Sequence, residues 1–303
     1  MPTHRHDSPY PHIEPKYGAK QQYAEYDMSA PVGKDEQKHV QQVTGKFNWY
    51  ARGVDGTLLM PISALSAQQA KPTQATMKRV KQFLDYSATQ KPAVTTYRVS
   101  DMVLAIHSDV GYLNEEGARS HVGGHHFLSE NVANPSNNGA IYNQASIIKS
   151  VMSSATEAEI GALYINAQKG VEERIILEEM GHLQPPTPVQ TDNSTADGIV
   201  NLHVQPKRTK AMNMRFHWLR DRGVNQKQFR FYWHPGTFMR VDYWTKHHSS
   251  SHHRHMRSEI LTPYDVIRNL RKKIVKIQYF SIYLVEVPDH KKLHCKGVLE
   301  WLA

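Results

Sequence analysis

The chain has 303 residues, of which 39% are hydrophobic and 21% charged. That is enough apolar side chain for one large or two modest cores and excludes wholesale disorder. A single cysteine, Cys295, excludes an internal disulfide and a cysteine-built zinc site and suits an intracellular, cytoplasmic setting. With 37 basic against 28 acidic residues the net charge is +9, a balance that favours polyanionic partners. No run approaches the roughly 18 apolar residues that cross a bilayer, so no membrane partner is expected.

Residues 1–36, rich in Pro, His and Tyr, read as an irregular lead-in. Val40, Val43, Phe47 and Tyr50 then fall at helical spacing, and Leu58, Leu59, Ile62 and Leu65 repeat it around Pro61, which should kink or start that helix. A third helix opens at Thr73 as N-cap, with Met77, Val80, Phe83 and Leu84 on its apolar stripe and Lys78, Arg79 and Lys81 off it. Residues 37–97 are thus mostly helical. Beyond Lys91-Pro92 the texture changes to three short strands, 102–109, 122–128 and 139–143, separated by turn residues. A long helix over 155–181 follows, closed by Gly181. Next come a strand ending at Asp192, a helix opening at 193–195, a helix near 207–222, a strand over 229–233 and a short helix at 241–248. This order predicts a mixed α/β sheet flanked by helices over 98–248, behind the helical segment, with 249–303 as a basic tail.

Four carboxylates stand out. Asp109 ends an apolar strand, Glu159 lies on the long helix, Asp192 ends the next strand and Asp242 begins the last short helix. If the strands are neighbours, the four acids converge at one sheet edge. Such a cluster repels itself unless protonated or neutralised by cations. An all-oxygen donor set selects hard ions, Mg²⁺ or Mn²⁺, and two of them roughly 4 Å apart would clamp an in-line phosphoryl displacement. Against this stands the plain fact that 28 acids are present and an acid at a strand end is ordinarily a turn or cap residue.

The segments HSDVGYL (107–113), SSATEAEIGALYINAQ (153–168), VQTDNSTA (189–196), PKRTKAMNMRFHWLRD (206–221) and VDYWTKHH (241–248), in this order and spacing, resemble the ribonuclease H domain of copia-type retrotransposon polyproteins. Residues 41–73 and 75–89 resemble the end of the reverse transcriptase that precedes that domain, its thumb and connection. The resemblance implies a ribonuclease H-like fold and metal-dependent hydrolysis of the RNA strand of an RNA/DNA hybrid, with two Mg²⁺ ions for which Mn²⁺ can substitute. It implies Asp109, Glu159, Asp192 and Asp242 as metal-binding catalytic acids, and His234, in WHPG, as the loop histidine that aids proton transfer. Glu157 rivals Glu159: about 200° apart on a helix, the two cannot share one site. Both flank the apolar face, so helix geometry leaves the choice open. The match to the second Glu of the family's EAE-like motif favours Glu159.

Two departures are visible. Gly111 stands where a small polar residue is usual, and Met239-Arg240-Val241 replaces Asn-Leu-Ala before the last Asp. They leave room for a decayed element that binds nucleic acid without cutting it. The basic groups Lys207, Arg208, Lys210, Arg215 and Arg220, with Lys78, Arg79 and Lys81, are the expected phosphate contacts on hybrid or duplex. Zinc is not expected at His121, His125 and His126, nor in the His-rich stretch from 247 to 255, which reads as an exposed tract. No Asp-Asp pair occurs, so no polymerase activity is expected. The rest of a reverse transcriptase is an expected partner, and a virus-like particle the expected location if the element is active.

Overall fold

The computed structural model describes residues 4–12, 25–203, 213–236, 239–262 and 283–284. Three helices come first: α1 (Lys34–Gly53), α2 (Leu59–Gln68) and α3 (Gln74–Thr89). The expected N-cap is in place, with Thr73 Oγ1 accepting from the Thr76 amide at 3.2 Å. Pro61 lies in the first turn of α2, where a missing N–H costs nothing, so it starts the helix instead of kinking it. The lead-in ends three residues early, at Gly33, and part of it is packed. Tyr10 stacks on His247 with ring centroids 4.0 Å apart, and burial pushes its hydroxyl up to about 12.

The sheet has five strands, β1 (Val103–Glu115), β2 (Arg119–Ser129), β3 (Ala140–Ile147), β4 (Thr187–Thr191) and β5 (Phe229–Trp233). Their order is β3-β2-β1-β4-β5; β1, β2 and β3 pair antiparallel, and β4 joins β1 and β5 in parallel. The parallel pairs need crossovers. Helix α4 (Ala155–Glu179) links β3 to β4, and α5 (Ser194–Val200) with α6 (Asn213–Arg220) links β4 to β5. Leu104, Ile106, Val189, Phe229 and Phe231 pack against Ile160, Leu163, Ile199 and Leu219 of these helices. This is the expected fold class, a mixed sheet flanked by helices with a helical segment before it.

The helical segment packs against the β3 side of the sheet. Val40, Leu58, Leu65, Val80 and Phe83 share one core with Ala145 of β3 and with Val241, Tyr243 and Trp244 of a 3₁₀ turn, Arg240–Trp244. Part of the expected tail also packs as a helix, α7 (Ser250–Ile260). His253 on α7 is buried and hydrogen-bonds the hydroxyls of Tyr86 at 2.5 Å and Tyr243 at 2.6 Å. Arg257 pairs with Asp55 at 2.6 Å. The His-rich stretch therefore docks on the helical segment through His253, while His252 and His255 are exposed as expected. No helix among the described residues is long and apolar enough to cross a membrane.

Candidate active site

Asp109 lies on β1 and Asp192 directly follows β4, and these strands are parallel neighbours. Their ends therefore point the same way. Glu159 sits in the second turn of α4, which starts where β3 hands the chain back across the sheet. Together the three acids each offer a carboxylate oxygen within 4.8 Å of the others. Asp109 and Glu159 are buried and Asp192 faces solvent.

Electrostatics show the strain of this arrangement. Burial, then the charges of Asp242 and Asp192, raise Asp109 to about 6. Burial, then Asp109 and Asp192, push Glu159 well above the carboxylate range, and burial with Asp242 raises Asp192. Glu159 Oε2 is buried with no hydrogen-bond partner. A group of three acids in which one buried carboxylate oxygen lacks a partner is what a hard cation would satisfy, so the residues present fit a divalent metal.

Asp242 stands beside this trio. It pairs with Lys246 one helical turn on, and its charge acts on both Asp109 and Asp192. Thr245 Oγ1 donates to Asp109 Oδ2 at 2.9 Å, fastening the turn that carries Asp242 to β1. The sequence reading missed Lys246 and Thr245, although the i,i+4 spacing of Asp242 and Lys246 is a readable signal.

Glu157 has different work. Its Oε2 accepts from the Ser153 amide at 2.8 Å and from the Ser153 hydroxyl, capping the first turn of α4. Glu159→Gln should therefore lose nearly all metal-dependent activity, whereas Glu157→Gln should keep it and lose about 1 kcal/mol of stability through the cap. Parallel activity and melting measurements on the two variants check this, and the reverse pattern would place the wrong face of α4 in the site.

Both departures from the expected motif have a packing reason. A Cβ at Gly111 would lie 2.4 Å from the Thr245 carbonyl oxygen, so only glycine lets the Asp242 turn close on β1. Met239 and Val241 are buried in the shared core and Arg240 pairs with Glu259 at 3.5 Å. Neither substitution displaces an acid.

His234 follows β5 by one residue, its amide donating to the Thr191 carbonyl at 3.0 Å. The loop it opens approaches the acids closely: a Cβ at Gly236 would lie 2.6 Å from Asp192 Oδ2.

Among the expected phosphate contacts, Lys207, Arg208 and Lys210 lie outside the described residues. Arg215 stands over the Tyr164 ring at 5.8 Å. Arg220 is engaged within the fold: its Nε and one terminal nitrogen donate to the Ile199 carbonyl, capping α5, while its guanidinium lies 3.7 Å from the Phe216 ring centre. Arg79 and Lys81 are likewise engaged, with Asp27 at 3.6 Å and Asp85 at 3.2 Å; Lys78 is exposed. The β2 histidines hold structure. His121 meets Ser63, His125 stacks on Trp244, and His126 is clamped between Glu173 at 2.6 Å and Asn166 at 3.1 Å.

No family model matches this sequence, and no curated protein matches it. Solved structures do. The chain is similar to a ribonuclease H1 isolated from compost by a metagenomic approach, at 14% identity over 48% of this chain and 93% of that one, with a TM-score of 0.36. It is similar to the N-terminal ribonuclease H domain of a Mycobacterium tuberculosis protein, at 13% identity over 47% of this chain and 95% of that domain's chain, with a TM-score of 0.34. A foamy viral protease-reverse transcriptase, solved in complex with RNA/DNA hybrid, matches at 13% identity over 65% of this chain and 25% of its own, with a TM-score of 0.39.

Proposed function

We propose that the protein is a divalent-metal-dependent endonuclease that hydrolyses the RNA strand of RNA/DNA hybrids, as the ribonuclease H part of a copia-type reverse transcriptase. The observation that carries this reading is the oxygen-only cluster of Asp109, Glu159 and Asp192, to which Glu159 brings a buried oxygen, Oε2, without a hydrogen-bond partner. The ordered sequence motifs that place these acids supply the reaction class.

Asp109, Glu159 and Asp192 would hold the metal, with Asp242 available to a second ion. Bound there, Mg²⁺, or Mn²⁺ in its place, supplies Lewis-acid polarisation of a phosphoryl oxygen and an activated water. The protein's own groups do the rest. Thr245 fixes the orientation of Asp109, and Lys246 balances the charge of Asp242 where a phosphodiester must approach. Asp192, the solvent-facing acid, receives the scissile strand, and His234 on the adjoining loop carries the proton-transfer role. The scissile strand is recognised as RNA through its 2′-hydroxyls, giving 5′-phosphate and 3′-hydroxyl products.

The alternative, a decayed element that only binds, rests on the departures at Gly111, which lets the Asp242 turn close on β1, and at 239–241. The side chains at 239–241 pack into the core or pair at the surface and leave the acids together, which favours the enzyme.

The test is cleavage of a strand-labelled RNA/DNA hybrid with Mg²⁺, with chelator and with duplex DNA as controls. RNA-strand cleavage that needs the metal is expected. Binding without cleavage under every divalent ion would replace the enzyme by the binding module. Replacing Lys207, Arg208 and Lys210 with Ala should weaken hybrid affinity and flatten the log–log salt dependence by about 0.9 per lost phosphate contact. An unchanged slope in the same titration would remove these three from the interface.

A further inference from the structure

The rim of the acid cluster carries an aromatic ring that the fold leaves half uncovered. Trp233 closes β5, with its backbone in register with Thr191 of β4. Phe229 and Phe231, on the same face of the strand, are buried in the core. Trp233 comes next in that row, runs past the end of the core and is 47% exposed. Its ring is nevertheless fixed, because Nε1 donates to the backbone carbonyl of Asp192 at 3.0 Å. That bond ties the indole to the backbone of a residue that itself carries a cluster carboxylate. On the chain side, His234 is tied to the Thr191 carbonyl and Gly236 closes against the Asp192 side chain. A large ring is thus held by its polar edge at the mouth of the site, with its apolar surface toward water, although burial of an aromatic is among the strongest stabilising contributions available to a fold.

We infer that Trp233 is a substrate-contacting residue, a platform on which the ribose next to the scissile phosphate packs its flat face. The inference rests on the hydrolase reading above. A sugar is the occupant because the bases of a duplex are already stacked on one another, whereas the wide, shallow minor groove of an A-like helix presents sugar faces and 2′-hydroxyls outward. A ribose platform serves nucleic-acid strands without sequence preference, since every nucleotide of an RNA strand presents the same sugar. The short tether to Asp192 sets how far from the reacting phosphate the platform can act.

The test compares the full chain carrying Trp233→Ala or Trp233→Phe with the unaltered protein on a defined RNA/DNA hybrid with Mg²⁺. Trp233→Ala should raise KM about tenfold and change kcat by less than about twofold, the order of size expected from losing one aromatic packing contact. Phenylalanine keeps a ring face but lacks the N–H, so Trp233→Phe should recover most of the affinity. If the indole served only to hold Asp192, both variants would lose kcat alike, and the platform would be overturned. A second readout is fluorescence. Hybrid added to Asp109→Asn protein should quench tryptophan emission, and Trp233→Phe in that background should remove the larger part of the quench. An unchanged KM in Trp233→Ala, or an unchanged quench in Trp233→Phe, overturns the assignment while leaving the hydrolase reading standing. Failure of the unaltered protein to bind or cut hybrid overturns both.

Discussion

Asp109→Asn is expected to abolish hybrid cleavage, by roughly three orders of magnitude or more, because a metal ligand carries several kcal/mol of transition-state stabilisation. The same change should leave the metal-free protein equally or more stable. Asp109 is buried, and its carboxyl is raised to about 6 by that burial and by the charges of Asp242 and Asp192, against about 4 for an unfolded aspartate. For an acid raised in the folded state, the neutral form is the one the fold favours. Its contribution is whole below about pH 4 and is lost as pH rises through about 6, on the order of 3 kcal/mol for a shift of two units. Glu159 is raised in the same direction. In chelator, then, the melting temperature of the unaltered protein should fall between pH 4 and pH 7, and that of Asp109→Asn should fall less. Mg²⁺ or Mn²⁺ should restore the unaltered protein near pH 7 and leave the variant almost unmoved, since a ligand that binds only the folded site stabilises by mass action. Cleavage that survives in Asp109→Asn, or equal metal-induced stabilisation of both proteins, would remove Asp109 from the metal site.

Asp109 and Asp192 were legible because each sits at a feature the local pattern can place. Asp109 interrupts an apolar strand, and Asp192 ends one just before the cap residue Asn193, whose Oδ1 accepts from the Ala196 amide. The choice between Glu157 and Glu159 was not legible from helical periodicity. It is decided by cap chemistry, because Ser153 and Ser154 draw Glu157 into the first turn and leave Glu159 facing inward. The length of β1 was also hidden. The strand continues to Glu115 and passes into β2 by a turn with Gly117 and Ala118 at positive φ, and the sequence there carries no Asn-Gly or Asp-Gly signal. Least legible was the position of the helical segment. Helical stripes announce that Val40 or Val80 is buried, but not against what. Tyr243 and Trp244 read as members of a short helix, and only the fold reveals that both are buried between the sheet and the helices. Long-range partners leave no periodic trace, and His253 of the His-rich stretch was misread for the same reason.

Trp244 therefore supports the second large effect. It is fully buried; its Nε1 donates to the Gly56 carbonyl at 2.8 Å and its ring stacks on His125 with centroids 5.4 Å apart. Trp244→Ala should cost on the order of 4 kcal/mol, which for a protein of this size lowers the melting temperature by roughly 10 °C. Activity should fall as well. Asp242 lies two residues before Trp244, and Thr245, which holds Asp109, lies one residue after it. Loosening this turn frees one acid and removes the hydroxyl that orients another. Trp244→Phe retains the ring and loses only the N–H, so it should cost about 1–2 kcal/mol, much of it the unpaired Gly56 carbonyl, and keep most of the activity. Calorimetry and the hybrid assay on both variants separate the two contributions. The same argument extends to the whole segment. Without residues 1–97, the buried faces of Val241, Tyr243 and Trp244 would meet water, and residues 98–303 alone should not melt cooperatively. If they do, and if they cut hybrid at the full rate, the helices are a cover that the site does not need and the Asp242 turn is held by the sheet alone.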